Sequence, residues 1–96
     1  MYASIHRYHV TATAGSDLSD VGWQLGAILA RSRGFVAAVV VEDHGGALIT
    51  IRLFDDKASL NAATPVAERW MSEHGAAAEP GATEVASGEV VAQKGL

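Results

Sequence analysis

The seven residues between Gly34 and Glu42 constrain the fold more than any other part of this sequence. They read Phe-Val-Ala-Ala-Val-Val-Val, an apolar run rich in β-branched side chains, which favours a strand. Successive side chains of a strand point to opposite faces of its sheet, so this strand is apolar on both faces. An antiparallel sheet with one face in water alternates apolar and polar residues, and this run does not. We therefore expect both faces of the sheet to be covered.

Three further strands are predicted on either side of this run. Residues 2–10 alternate between two faces, one with Tyr2, Ser4, His6, Tyr8 and Val10, the other with Ala3, Ile5, Arg7 and His9. Residues 47–54 follow the apolar strand, residues 35–42, after a turn at residues 43–46, which predicts a hairpin. Residues 83–93 close the chain as the last strand, where Gly88 indicates a bulge.

The first helix is predicted from an apolar stripe with three- and four-residue spacing. Its members are Leu18, Val21, Leu25, Ile28 and Leu29. Ser16 or Asp17 is placed to cap the amino end. Arg31 and Arg33 are expected in the last turn, with Gly34 as the terminating residue.

The second helix is predicted to start after Asp55 or Asp56 and to end near His74, with Gly75 as its stop. Its buried stripe consists of Leu60, Ala63, Ala67, Trp70 and Met71. Pro65 lacks the N–H that would bond back to Asn61, so a kink or a short break is expected near Thr64.

These elements follow one another as β-α-β-β-α-β, the ferredoxin-like arrangement of an α+β protein. It predicts a four-stranded antiparallel sheet with both helices on one face. The other face would carry Phe35, Ala37, Val39 and Val41, or else Val36, Ala38 and Val40. Neither set suits contact with water, so a second copy of the sheet is expected to cover it, giving a homodimer.

Length and composition exclude several classes of protein. Ninety-six residues allow one domain, residues 1–96. Seven Lys and Arg and a net charge of −4 do not provide the basic surface that nucleic acid needs. Cysteine is absent, which excludes disulfides and thiolate sites, and no apolar run is long enough to cross a membrane. No basic segment leads into an apolar one at the start, so a cytoplasmic protein is expected.

The chain resembles the dimeric α+β barrel superfamily, and in particular the antibiotic-biosynthesis-monooxygenase-like domains. The resemblance covers nearly all of the sequence. It rests on residues 1–8 as the opening strand, on Gly34-Phe35 before the second strand, and on residues 51–58 before the second helix. It implies two sheets that close into a barrel, with a pocket between each sheet and its helices. Some members are cofactor-independent oxygenases of aromatic polyketides, and others degrade haem.

The haem-degrading members carry an Asn on the first strand and a Trp and a His on or after the second helix. Here the first strand has Ser4 and His6 instead, and Trp70 and His74 are only four residues apart. Asn61 lies where relatives carry a His or Asn. These departures from the haem-degrading pattern argue against haem, and no cofactor is predicted.

Two groups of side chains are candidates for chemistry. Trp70 could wall an aromatic ligand while His74 exchanges a proton with it, or Trp70 is core and His74 caps the helix. His6 and Tyr8 share a strand face near Arg52, and together they suit an anionic or phenolic ligand. The alternative is a structural cross-strand pair between Arg52 and Glu89. The candidate catalytic residues are His6, Asn61 and His74, and the candidate ligand contacts are Tyr8, Arg52 and Trp70.

Two other features are the histidines of the first strand and the tryptophan of the first helix. His6 and His9 point to opposite faces of a strand and cannot bind the same metal ion, so no metal site is predicted. Trp23 falls opposite the buried stripe of the first helix, beside a groove of small residues formed by Gly22, Gly26 and Ala30. Contact with a partner subunit, with the partner's C-terminal tail or with a ligand would explain two helical glycines. A simply exposed tryptophan is the alternative.

Two functions remain open on this evidence. One is a cofactor-independent monooxygenase acting on an aromatic or polycyclic small molecule. The other is a non-catalytic, small-molecule-binding or stress-associated dimeric module.

Overall fold

The computed structural model describes residues 1–9, 18–43, 47–74 and 83–96, and it confirms the predicted order of elements. These are β1 (Tyr2–His9), α1 (Leu18–Ala30), β2 (Phe35–Glu42), β3 (Ala47–Phe54), α2 (Lys57–His74) and β4 (Thr83–Glu89). The predicted cap at Ser16 or Asp17 and the predicted stop at Gly75 lie outside the described residues, as does most of the turn at residues 43–46. No helix in the described ranges has the length and apolar character needed to span a membrane.

The four strands form one antiparallel sheet in the order β2-β3-β1-β4. Both helices pack on the same face, because their buried residues join those of the strands in one core. This core contains Tyr8, Leu25, Leu29, Leu48, Phe54, Leu60, Ala63, Ala67 and Met71. We call the helix side the covered face and the opposite side the outer face. The ferredoxin-like fold is thereby confirmed.

A bulge near the start of β2 decides which of its residues face the helices. Phe35 pairs with Phe54 and Ala37 pairs with Leu53, so Val36 is the extra residue. Phe35 turns towards the core, where its ring meets that of Phe54 edge to face at 5.8 Å between centroids. The outer face consequently carries Ala37, Val39 and Val41, whereas Phe35 lies on the covered face together with Ala38 and Val40. The actual outer set is the first of the two predicted sets without Phe35.

The last strand differs from its prediction in two ways. It ends at Glu89 rather than at residue 93, and beyond it Val90 N–H donates to Met1 O at 2.9 Å. The bulge lies at Val85 and not at Gly88, because Ile5 pairs with Ala86 while His6 pairs with Glu84. Gly88 stays in regular register opposite Ala3.

The end of α1 corrects a second prediction. The helix stops at Ala30, so Arg31 and Arg33 lie in the following turn rather than in the last helical turn. Gly34 is not the residue that ends the helix; it lies in this turn, directly before β2, and adopts φ +79°, a left-handed conformation that favours glycine. A Cβ at Gly34 would also lie 2.7 Å from the Cβ of Ser59, so both backbone conformation and space require glycine there.

The second helix begins where Asp56 caps it. Asp56 Oδ1 accepts a hydrogen bond from Ser59 N–H at 2.7 Å, and this bond lowers the pKa of Asp56. The break expected at Pro65 is absent, since α2 is one helix from Lys57 to His74. Thr64, immediately before Pro65, donates its hydroxyl to Leu60 O, one turn earlier in the helix, at 3.0 Å. Packing of the predicted stripe, which is buried except for a half-buried Trp70, holds the helix together through the proline.

Candidate functional site

Four polar side chains lie buried in the covered face, between the sheet and the helices. Ser4 and His6 come from β1, and Thr50 and Arg52 come from β3; each is at most 2% exposed. The register pairs Ser4 with Arg52 and His6 with Thr50, so the four form two adjacent cross-strand pairs. We call them the polar layer. Polar groups in this position cost stability unless they are hydrogen-bonded, which points to a purpose other than folding.

Arg52 is the charged member of the polar layer, and its guanidinium reaches along β3 towards Tyr8. Nη2 donates a hydrogen bond to Tyr8 Oη, and the guanidinium carbon lies 5.6 Å from the centroid of the Tyr8 ring. Arg52 Nε and Nη1 are buried and have no hydrogen-bond partner among the described residues, and the same is true of Thr50 Oγ1. The site thus combines a buried positive charge with unused donors.

The phenol of Tyr8 does not neutralise this charge. Burial raises the pKa of Tyr8 above its ordinary value of 10.0, and the nearby Arg52 opposes that rise only in part. Tyr8 is therefore a neutral phenol at physiological pH. The negative charge of Glu68, which is exposed on α2, also raises the pKa of Tyr8.

His6 lies next to the Arg52–Tyr8 pair and is bonded within its own strand. Its Nε2 is 2.9 Å from Ser4 Oγ, which fixes the ring on the covered face. Imidazole exchanges protons near neutral pH more readily than any other side chain. The polar layer accordingly holds an imidazole ring and a guanidinium on the same face of the sheet.

An apolar groove of about 560 Å³ runs between α1 and β2, beside the polar layer. Its volume is within the range of small-molecule sites, roughly 300–1,000 Å³. The walls include Gly22, Trp23 and Gly26 from α1 and Ala38, Val40 and Glu42 from β2. Trp23 stands at the rim and is 80% exposed, as predicted for a residue opposite the buried stripe.

The two helical glycines of the groove serve different purposes. A Cβ at Gly22 would lie 3.0 Å from Val40 Cγ1, so this glycine lets α1 approach β2 closely. A Cβ at Gly26 would meet nothing within 4 Å, so this glycine leaves open space in the groove. The element that approaches Gly22 is therefore β2 of the same chain, and not a partner subunit or a ligand as predicted. At Gly26 there is space for another group.

The register connects the groove to the polar layer. Ala38 pairs with Arg52 and Val40 pairs with Thr50, so two groove-lining residues are the direct neighbours of two polar ones. Adjacent strands are about 4.8 Å apart. The apolar walls that would surround a ligand in the groove therefore lie one strand away from the buried guanidinium of Arg52.

The structure brings together three of the six predicted site residues: His6, Tyr8 and Arg52. Trp70 is half-buried on α2 and packs against the core, and Asn61 is exposed on the same helix. His74 is the last residue of α2, and its side chain lies outside the described part of the structure. None of the other five is among the groove-lining residues.

The cross-strand pair between Arg52 and Glu89, which was the structural alternative for Arg52, does not form. Strand β1 lies between β3 and β4, so Arg52 and Glu89 are not cross-strand neighbours. Glu89 instead pairs with Tyr2 and is exposed. Sequence reasoning also missed Thr50, although its place on the same face as Leu48, Arg52 and Phe54 follows from strand alternation.

Comparison with solved structures places this arrangement in a known fold. SnoaB, a cofactor-independent oxygenase from Streptomyces nogalater, is 19% identical, with 99% of this chain and 95% of that chain covered and a TM-score of 0.64. A proposed antibiotic biosynthesis monooxygenase from Deinococcus radiodurans is 16% identical, covers 99% and 100%, and has a TM-score of 0.65. The chain has the antibiotic-biosynthesis-monooxygenase-like fold.

A third structure with this fold is the haem degrader MhuD from Mycobacterium tuberculosis, which has two haems in its active site. It is 21% identical, with 99% of this chain and 100% of that chain covered and a TM-score of 0.70. No protein-family model matches the sequence, and no curated protein does either. The antibiotic-biosynthesis-monooxygenase-like assignment is thus an assignment of fold.

The polar layer does not fit haem. His6 Nε2 is engaged with Ser4 and the ring is buried, so this nitrogen is not presented to an iron centre. Across the described ranges, no group of three or more histidines and carboxylates is placed to hold a metal ion. We derive no chemistry through haem.

Proposed function

We propose that this chain is a monooxygenase-like protein that acts, without a cofactor, on an aromatic or polycyclic small molecule. The observation that carries the proposal is the polar layer beside an apolar groove, within the fold of the antibiotic-biosynthesis-monooxygenase-like proteins. SnoaB, which has the same fold, is a cofactor-independent oxygenase. A groove lined by apolar side chains suits an aromatic body, and buried polar groups suit its reacting end.

The chemistry that suits such a site is oxidation of an activated methylene. In an anthrone, the ring CH2 loses a proton to a base, and the resulting enolate transfers electrons to O2. One oxygen atom becomes the new carbonyl oxygen, and the other leaves as water with the two hydrogens of the CH2 group. His6 is our candidate for the base, with His74 as the second candidate, because an imidazole accepts a proton at neutral pH. Asn61 and Trp70 remain predicted contributors.

The test is oxygen consumption with 1,8-dihydroxyanthrone as the probe, corrected for reaction without protein. We expect saturable turnover that falls by roughly 100-fold or more in His6→Ala, the usual effect of removing a general base. His74→Ala tests the second candidate in the same assay. Arg69→Ala is the matched control, because this side chain is 80% exposed on α2. Wild-type protein that does not exceed the uncatalysed rate would contradict the proposal.

We further propose that the protein is a homodimer whose two sheets meet through their outer faces. Val39 is 51% exposed and Val41 is 43% exposed on this face, beside the half-exposed Ile49, Ile51 and Leu53 of β3. An apolar sheet face of this kind marks an interaction surface. A second copy matches it by symmetry, because a two-fold axis brings the same surface against itself.

The second candidate function is non-catalytic binding of a small molecule. It is favoured by the position of Asn61, which is exposed on α2 and not gathered into the polar layer. A binding protein needs the groove and a polar anchor but no base. Saturable binding of an aromatic ligand with no oxygen consumption would select this function over the first.

A further inference from the structure

Arg52 presents a physical problem that the fold does not solve by itself. Its side chain is 1% exposed, and its one hydrogen-bond partner among the described residues is the neutral phenol of Tyr8. The two ion pairs found in the described ranges join other residues, Arg7 to Asp43 and Arg69 to Glu73. A buried charge without a counter-charge is among the most costly features that a protein can keep.

The unused hydrogen-bonding groups of the polar layer occur on neighbouring residues of one strand face. Arg52 offers Nε and Nη1, and Thr50 offers its hydroxyl, two residues away on the same face of β3. All three atoms are buried. A guanidinium and a hydroxyl are both donors, so what they lack in common is an acceptor, and the positive charge calls for an anionic one.

The groove supplies the space for the rest of such a ligand. Its walls Ala38 and Val40 pair directly with Arg52 and Thr50. Ala38 is the small side chain that separates the groove from Arg52 within the same cross-strand row. The polar end of a ligand in the groove would have to pass Ala38 to reach the donors, because neither Arg52 nor Thr50 is among the groove-lining residues.

We infer that Arg52, assisted by Thr50, binds the oxyanion of an acidic aromatic ligand whose apolar rings occupy the groove. The ligand class is an aromatic enol or phenol that is ionised at neutral pH. The inference deepens the proposed function and rests on it for the aromatic nature of the ligand, while the anion site rests on the buried charge.

The test compares two ligands of nearly the same shape, 2-hydroxy-1,4-naphthoquinone, which is an anion at pH 7, and its neutral 2-methoxy analogue. Binding is followed by calorimetry and by quenching of Trp23, which stands at the groove rim. Wild-type protein is expected to bind the anion at least roughly tenfold more tightly, as a hydrogen bond to a charged group provides. Arg52→Met is expected to lose that preference, and Arg52→Lys to regain part of it.

The same variants separate a ligand site from a structural role. If Arg52 serves a ligand, Arg52→Met without ligand shows no large drop in Tm, because removing a buried charge that has no counter-charge among the described residues offsets the loss of the bond to Tyr8. Arg33→Met, in the exposed turn after α1, is the matched control and keeps both the Tm and the preference for the anion.

Three results would overturn the inference. They are equal affinity of wild-type protein for the two quinones, no binding of either, and a large drop in Tm for ligand-free Arg52→Met. Preferential binding of the anion without turnover of the anthrone would support this anion site while contradicting the monooxygenase proposal. The two proposals therefore fail separately.

Discussion

Each face of the sheet carries one set of side chains that a monomer in water would place on the other face. On the covered face, beside the hydrophobic core, lie a buried guanidinium, an imidazole and two hydroxyls. On the outer face, opposite the helices, lie the exposed Val39 and Val41 and the half-exposed isoleucines of β3. A sheet that served folding alone would place the apolar set under the helices and the polar set in water.

Our two proposals give these two sets different causes. The apolar outer face would meet a second copy of the sheet. The polar layer would receive a ligand, and those of its donors that have no partner among the described residues reduce stability in the absence of one. Changes on the two faces should therefore have opposite signs: polarity added outside is harmful, and removal of an inside polar group that has no partner among the described residues is beneficial.

The largest expected effect comes from a charge on the outer face. Val39→Glu should convert the dimer to a monomer, because burying an unpaired carboxylate between two sheets costs on the order of several kcal/mol. Light scattering should give twice 10.0 kDa for wild-type protein and 10.0 kDa for the variant. Val66→Glu is the matched control, since Val66 is also 51% exposed but lies on α2. A monomeric wild-type protein at micromolar concentration would contradict the proposal that the outer face meets a second copy.

The next effect concerns Tyr8, whose phenol oxygen accepts a hydrogen bond from Arg52. Tyr8→Phe should lower the free energy of unfolding by about 1–3 kcal/mol at neutral pH, because it leaves a further buried donor unpaired. Chemical denaturation measures this change, with Tyr2→Phe as the control that keeps the Arg52 contact. Equal stability of Tyr8→Phe and wild-type protein would mean that the bond contributes nothing.

Tyr8 also predicts a dependence of stability on alkaline pH. Its pKa is raised in the folded protein, so the folded state holds the phenolic proton more tightly than the unfolded state does. That contribution is fully present below the ordinary pKa of 10.0 and is lost as the pH rises through the folded pKa. Wild-type protein should accordingly lose stability above pH 10 more steeply than Tyr8→Phe, as measured by Tm against pH.

A smaller effect of opposite sign is expected at Thr50. Thr50→Val keeps the shape of the side chain and removes a buried hydroxyl whose oxygen has no partner among the described residues, so stability without ligand should rise by about 1 kcal/mol. Thr64→Val is the matched control, because its hydroxyl is bonded to Leu60 O and the variant should show no gain. A loss of stability in Thr50→Val would show that the polar layer is satisfied without ligand.

The smallest effect is expected at the two groove-lining glycines of α1, of which Gly22 contacts β2 and Gly26 faces open space. Gly26→Ala should stabilise the protein by up to about 1 kcal/mol, the helix propensity difference, because its Cβ has open space. Gly22→Ala should gain less or lose stability, because its Cβ would press on Val40. Thermal unfolding of the two variants tests the pair. Equal gains would mean that α1 does not approach β2 as closely as the structure has it.

Much of the fold could be predicted from the sequence, because its signals are local. The bounds of β2 and β3 followed from the apolar run and the strand after it. The errors arose where packing overrides local preference. Pro65 does not break α2, since the buried stripe on both sides of it holds the helix, and the bulge formed at Val85 rather than at glycine.

The candidate site was only partly predictable. Alternation placed His6 and Tyr8 on one face, and Arg52 was correctly placed near them. That Arg52 is buried and bonded to Tyr8 depends on strand order, which sets β1 beside β3 and removes Glu89 from reach. Asn61 looked like a site residue in sequence, but the helix turns it to the surface.

The sequence by itself determined the order of the elements and the presence of a strand that is apolar on both faces. Periodicity and end signals act over a few residues, so they can be read without knowing what lies opposite. Only the tertiary structure decided which face the helices cover, and the bulge at Val36 decided which β2 side chains lie there. Burial depends on neighbours distant in the chain, which is why the burial of the Arg52 charge becomes visible only in the folded protein.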